Sequence, residues 1–141
     1  WLAREPAFAR QAVYLDPAER VSDLPDAAAL TQLHAQGVRI WAPAMFALLE
    51  LDGQGAIVPS PAALAARQAG LEIVTWSLER SGALHAGNNG FYYQTINPAI
   101  TGESDVLRVL DVLARQVGVR AIFSDWPATA VFYANCTGLG R

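Results

Sequence analysis

The side chains best suited to chemistry stand where apolar runs stop. Trp41-Ala42-Pro43 closes one run, Thr75-Trp76-Ser77-Leu78-Glu79-Arg80 a second, and Ser124-Asp125-Trp126-Pro127 a third. A tryptophan at each stop suits a pocket wall, because an indole offers a large apolar face and one donor. Of the charged residues beside them, Asp125 is a group that can orient a ligand hydroxyl. Plainer roles stay open for each. A tryptophan can simply be core, Glu79 and Arg80 can pair on a loop or meet solvent, and Asp125 can cap a helix beginning at Pro127. His34 lies mid-helix between Leu33 and Ala35 and reads as a surface or helix-packing residue. His85 sits in a Gly/Asn-rich stretch with no second His or Cys at metal-ligand spacing, so it reads as solvated. No Ser/His/Asp order, phosphate-cradling glycine loop or paired acidic motif stands out. These residues make the wall of a site and not its reactive centre.

Composition narrows the setting. With 141 residues, 52% hydrophobic and 16% charged, the chain can build one packed domain. A net charge of −3 without a basic tract argues against nucleic acid as a partner. All 10 basic residues are arginine, which excludes a Schiff-base or P-loop lysine within the chain. Cys136 is alone, so neither an intrachain disulfide nor a thiolate metal cluster is available. Asn135-Cys136-Thr137 fits a glycosylation sequon, a motif common by chance. No apolar run approaches the roughly 20 residues of a membrane span. The opening Trp-Leu-Ala-Arg-Glu-Pro lacks a basic segment followed by an apolar core, so no signal peptide is expected there. Trp1 is not a natural start, and a mature or truncated chain would read the same way.

An internal repeat supplies the elements that position the wall. "LHAQGVRIWAP", "ARQAGLEIVTWS" and "ARQVGVRAIFSDWP" each read as a last helical turn, a glycine, then a run rich in Val and Ile. Glycine after a helix takes the left-handed conformation cheaply, and near-continuous apolar runs suit parallel strands covered on both faces. Helix starts are expected at Asp26, at Ser60 with Pro61, and at Ser104. With an earlier strand at Ala12 to Asp16, the chain reads as four βα units. Strands are expected near 12–16, 38–42, 71–76 and 119–123, with a Gly/Asn-rich insertion over about 81–102. Alternating strands and helices imply a parallel sheet. Four units make either a small open sheet or half of a (β/α)8 barrel, since a whole barrel takes roughly 250 residues. In both, sites form at the carboxyl ends of the strands.

The last repeat carries a family resemblance. "GVRAIFSDWPATAV" resembles the closing strand of glycerophosphodiester phosphodiesterases, with Gly118, Ile122, Phe123, Ser124, Asp125, Trp126, Pro127 and Ala130 matching and Ala121 replacing the usual glycine. "AARQAGLEIVTWSLERSG" is similar to the preceding unit, with Ser77 for the usual threonine. The likeness covers about residues 57–135 well and the first 55 more loosely. It implies a (β/α)8 barrel that hydrolyses glycerophosphodiesters to glycerol 3-phosphate and an alcohol, an activity of lipid and glycerol metabolism. It also implies a divalent cation (Ca or Mg) and two acid/base histidines. The family's His-Arg-Gly segment, Glu-x-Asp pair and lysine are absent here. The resemblance therefore implies that residues 1–141 are the C-terminal half, strands five to eight, of one barrel domain. The metal and the histidines would belong to a missing N-terminal half, leaving no catalytic or metal-binding residue in this chain.

What the resemblance implies for binding is modest. Trp76 matches the aromatic that lines the glycerol side of the pocket, and Asp125 and Trp126 match the terminal motif. Phe91, Tyr92 and Tyr93 fall in the insertion, where they could close over substrate, shape its alcohol end, or pin a hydrophobic lid to the rim. The substrate-binding set is thus Trp76, Phe91, Tyr93, Asp125 and Trp126. Many such enzymes are exported, which favours a periplasmic or secreted location. Two other readings stay open: a small α/β binding module without catalysis, and a half-barrel that self-associates as a homo-oligomer to cover its sheet edges.

Overall fold

The computed structural model describes residues 3–87 and 89–139. Four parallel strands form its main sheet: β1 (Val13–Leu15), β2 (Ile40–Ala42), β5 (Glu72–Thr75) and β6 (Ala121–Ile122), paired in the order β1-β2-β5-β6. All four fall where the repeat predicts them. Between β2 and β5 lies an antiparallel hairpin of β3 (Leu49–Leu51) and β4 (Ile57–Pro59). Asp52 closes its turn, its Oδ1 accepting from the amides of Gln54 and Ala56, each at 2.8 Å. The repeat predicts one strand and one helix over this interval. The hairpin fits because the helix after it is only 8 residues long.

The helices are α1 (Ala27–Ala35), α2 (Pro61–Gln68), α3 (Asp105–Asp111) and α4 (Pro127–Thr137), with α3 running on as a π-helical turn over Val112–Val117. Asp26 and Ser60 cap α1 and α2 as expected, accepting from the amides of Ala29 at 2.8 Å and Ala63 at 3.1 Å. Ser60 also donates to the Ala47 carbonyl at 2.5 Å, tying the helix start to the hairpin base. Ser104 makes no capping bond. Asp105 reaches back instead, its Oδ2 accepting from the Thr101 amide at 2.6 Å and the Gly102 amide at 3.1 Å. Gly37, Gly70 and Gly118 adopt φ of 98°, 82° and 75°, the left-handed turn after a helix that the repeat predicts.

The two faces of the sheet differ. Partners in register share a face, so Trp41, Ile73 and Ile122 point one way, while Val13, Leu15, Ile40, Ala42 and Val74 point the other. On the first face Trp41 and Ile73 are buried with Leu30 of α1, Ala63 and Ala66 of α2, Val109 and Leu110 of α3, Leu113 and Val117 of its π-helical turn, and Tyr133 of α4. Each such Leu or Val stabilises the fold by roughly 1.5–3 kcal/mol through burial. On the second face only Ile40, Ala42 and Val74 form a small cluster. Val13, Leu15 and Phe123 there stay 44%, 61% and 53% exposed.

Candidate functional site

The carboxyl ends of β5 and β6 bring the sequence-predicted residues together. Trp76 follows β5 and is held against β2, its indole Nε1 donating to the Ala42 carbonyl at 3.0 Å and its own carbonyl accepting from the Met45 amide at 2.7 Å. Thr75 beneath it donates to the Pro43 carbonyl at 3.0 Å. The next turn carries Glu79 and Arg80 toward β6. Glu79 accepts from the Ser124 hydroxyl at 2.5 Å and the Asp125 amide at 3.1 Å. Arg80 grips Asp125 through two parallel bonds, Nε to Oδ2 at 2.6 Å and Nη2 to Oδ1 at 3.1 Å. That fork geometry is the strong form of a guanidinium–carboxylate contact.

The network replaces the local roles open from sequence. Glu79 and Arg80 pair across to the β6 corner and not with each other. Asp125 does not cap α4: the helix starts after Trp126 without a side-chain cap. The hydrogen bond from Arg80 holds the Asp125 carboxyl below the usual carboxylate range, and Asp125 in turn raises the Arg80 pKa. Both groups are open to water, so this pair chiefly sets geometry.

The insertion over 81–102 supplies the aromatic side. Phe91 lies between Phe46 and Trp76, with ring centroids at 5.0 and 6.2 Å, and Tyr92 packs edge-on to Trp76 at 5.7 Å and to Phe91 at 5.1 Å. Edge-to-face contacts of this kind stabilise beyond area burial. Tyr93 has a different place. It is fully buried and its hydroxyl donates to the Leu78 carbonyl at 2.8 Å, so it anchors the insertion from below instead of forming a wall. Burial raises its pKa above the ordinary tyrosine value. Phe91 and Tyr92 pack on Trp76 and, like Tyr93, are not among the residues that line the cavity at the strand ends. An aromatic triplet in an irregular loop has no period to say which ring turns inward.

A cavity of about 320 Å³ opens at these strand ends, lined by Leu15, Trp76, Ser77, Arg80, Phe123, Ser124 and Asp125. Trp126 is 66% exposed and stays outside that lining. Trp41 is core: fully buried, it donates its indole N–H to Asp16 at 2.7 Å. His34 packs beneath Gly70, and His85 lies on the surface with its Nδ1 2.9 Å from Glu103, whose pKa that contact lowers. A larger cavity of about 440 Å³ sits among Leu24, Phe46, Glu50 and Pro61, near the starts of α1 and α2, and holds none of the residues that end β5 or β6.

Among the described residues no three His, Cys, Asp or Glu side chains group so as to hold a metal ion. Nor is any helix there long and apolar enough to cross a membrane. The cavity at the strand ends is open to solvent and presents one Arg–Asp pair, two serine hydroxyls and the faces of Trp76 and Phe123. No protein-family model matches the chain. It is similar to a protein of Arthroderma benhamiae named "Extracellular protein", 47% identical over 146 residues that take in 99% of this chain and 58% of that relative, so the chain spans little more than half the relative's length.

Proposed function

We propose that this chain supplies strands five to eight of a glycerophosphodiester phosphodiesterase barrel, within a longer secreted polypeptide. One observation carries the reading: the parallel strands run in sequence order with helices on one face only, and the other face is open and, apart from Glu72 at its edge, apolar. A closed barrel turns that second face inward, and a small open α/β sheet covers both faces. Leu15 and Phe123, exposed here, would become interior residues once four more βα units closed the ring. The length of the Arthroderma relative leaves room for them, and its name supports the secreted location.

The reaction joins a water oxygen to phosphorus, breaks the bond from phosphorus to the alcohol oxygen, and returns a proton to that alcohol. A divalent cation would neutralise phosphate charge in the family's chemistry. Among the described residues no side-chain group fits such an ion, so its ligands and the acid/base groups are assigned to the remainder of the polypeptide. This chain's own part is binding. Trp76 flanks the glycerol side, Phe91 and Tyr92 brace Trp76, and Arg80 with Asp125 faces the cavity.

The test is release of glycerol 3-phosphate by the full-length protein from glycerophosphocholine and glycerophosphoinositol, with calcium or magnesium added. Activity that falls tenfold or more in Trp76→Ala is the expected result. A folded full-length protein that releases none with either cation refutes the reading. The open apolar face also suits a second copy of the chain, and a dimer of the full-length protein that buries Leu15 would favour that self-associating form.

A further inference from the structure

We infer that Asn135 is an N-glycosylation site and that its glycan covers the outward face of α4. The site takes only the secreted location from the reading above and nothing from its phosphodiesterase chemistry. Asn135-Cys136-Thr137 is a sequon by residue type, and sequons recur by chance. Two features of the fold set this one apart: where α4 turns Asn135, and what surrounds it there.

The rotation of α4 is fixed from its inner side. Tyr133 is buried and its hydroxyl donates to the Asp111 carboxylate at 2.8 Å, with Thr129, Ala130, Ala134 and Thr137 half-buried beside it. Two residues along an α-helix turn the side chain through about 200°. Asn135 therefore points away from the body of the protein, and it is exposed. Thr137, two residues on, turns back inward and donates to the Tyr133 carbonyl at 2.8 Å. A glycosyltransferase reads the asparagine and the hydroxyl together, from one side of an extended segment, which the finished helix does not offer. Transfer thus precedes closure of the last turn of α4, which ends at Thr137 with Gly138 in the left-handed conformation. On folding, the attached sugar is carried outward into solvent.

The surroundings favour such a cover. A solvent-facing helix face ordinarily carries charged or polar residues, yet the 11 residues of α4 include no charged side chain. Val131 and Phe132, both more than half exposed, stand four and three residues before Asn135, where helical neighbours lie about 5–6 Å apart. Ala128 on the same face is exposed, and Leu139 extends the apolar surface just past the helix end. Asn135 is the polar group at the centre of this patch. A contiguous exposed apolar patch invites association, whereas a glycan is bulky and solubilising. The C–H face of its first sugar can lie on the Phe132 ring.

The donor is an oligosaccharide carried on a polyprenyl diphosphate. The Asn135 amide nitrogen bonds to the anomeric carbon of the oligosaccharide's N-acetylglucosamine. The bond from that carbon to the diphosphate oxygen breaks, the diphosphate leaves with the electron pair, and the amide nitrogen gives up one proton. Nothing is oxidised or reduced.

The experiment secretes the full-length protein from a eukaryotic host behind a host leader, so the sequon meets the transferase whatever the protein's own export route. Peptide mapping after N-glycosidase treatment in heavy-oxygen water should find a labelled aspartate at position 135. Asn135→Gln and Thr137→Ala should each abolish that label, and Thr137→Ser should keep it. Asn135→Gln should also raise light scattering on standing, as should glycosidase treatment of the folded wild type, which needs no variant to fold. Adding Phe132→Ser to Asn135→Gln should suppress that rise. An unmodified Asn135 in the secreted wild type overturns the site. Equal scattering with and without the glycan overturns the cover. Neither readout involves glycerol 3-phosphate, so failure of the phosphodiesterase reading leaves both outcomes decisive.

Discussion

Replacing Tyr93 by phenylalanine removes one oxygen from the place where the insertion is anchored. In the wild type that oxygen donates to the Leu78 carbonyl at 2.8 Å, and both residues are fully buried. No other donor among the described residues reaches that carbonyl. Tyr93→Phe keeps the ring, so no large cavity opens, and the loss is that of a buried acceptor left unpaired, about 1–3 kcal/mol. Tyr93→Ala would also lose the ring, adding a cost on the scale of about 3–5 kcal/mol known for aromatic truncations. Urea unfolding of the full-length protein measures both, and Tyr93→Phe should lower the midpoint with the slope unchanged. pH gives an independent readout. Burial raises the Tyr93 pKa in the folded state, so the folded protein keeps its proton after the unfolded chain has released one. That contribution is intact below the ordinary tyrosine value of about 10 and is lost as pH climbs from there toward the raised value. The wild type should therefore lose stability above about pH 10 more steeply than Tyr93→Phe. If the two proteins unfold at the same urea concentration and decline in parallel in alkali, Tyr93 is not the anchor described here.

Two further outcomes follow from packing and charge. The Asp105 carboxyl is held below its usual pKa chiefly by the Thr101 amide, so its contribution is present above about pH 4 and is lost as pH falls through the lowered value. Asp105→Asn should flatten that acid limb in a pH series of thermal melts and cost about 1–2 kcal/mol at neutral pH. Leu15→Asp combined with Phe123→Asp separates the architectures: both side chains are more than half exposed on this chain, yet both would lie inside a closed barrel. The full-length double variant should fail to fold by circular dichroism, because unpaired charges cannot be buried there. A folded double variant with native melting would count against barrel closure.

The repeat made the βα framework readable because it combines three signals that depend only on local chemistry. Gly37, Gly70 and Gly118 mark helix ends, the Val/Ile runs mark strands, and Asp26 and Ser60 mark helix starts. The hairpin of β3 and β4 escaped because each arm has three residues, too few for alternation to declare itself. At the site, the types were legible and the pairings were not. Glu79 and Arg80 are adjacent in sequence to each other, but their partners Ser124 and Asp125 are more than forty residues away, and only the parallel register of β5 and β6 brings them into reach. Tyr92 and Tyr93 differ by one position, and which of them turns to the core is decided by the Leu78 carbonyl.

β6 has two residues in its ladder, Ala121 and Ile122, and ion pairs stand at both of its ends. Arg120 meets Glu72 at one end, and Asp125 meets Arg80 at the other. All four side chains face water, so salt screens them, with a Debye length of about 8 Å at physiological ionic strength and about 3 Å at 1 M. Beyond its backbone bonds to β5 and the packing of Ile122, the final strand is therefore fastened by contacts that respond to the medium, while β2 and β5 rest chiefly on buried apolar side chains that do not. Strong brine would loosen the end of the sheet that carries Asp125 first. The polar rim of the cavity would open in conditions where the core beneath it stays closed.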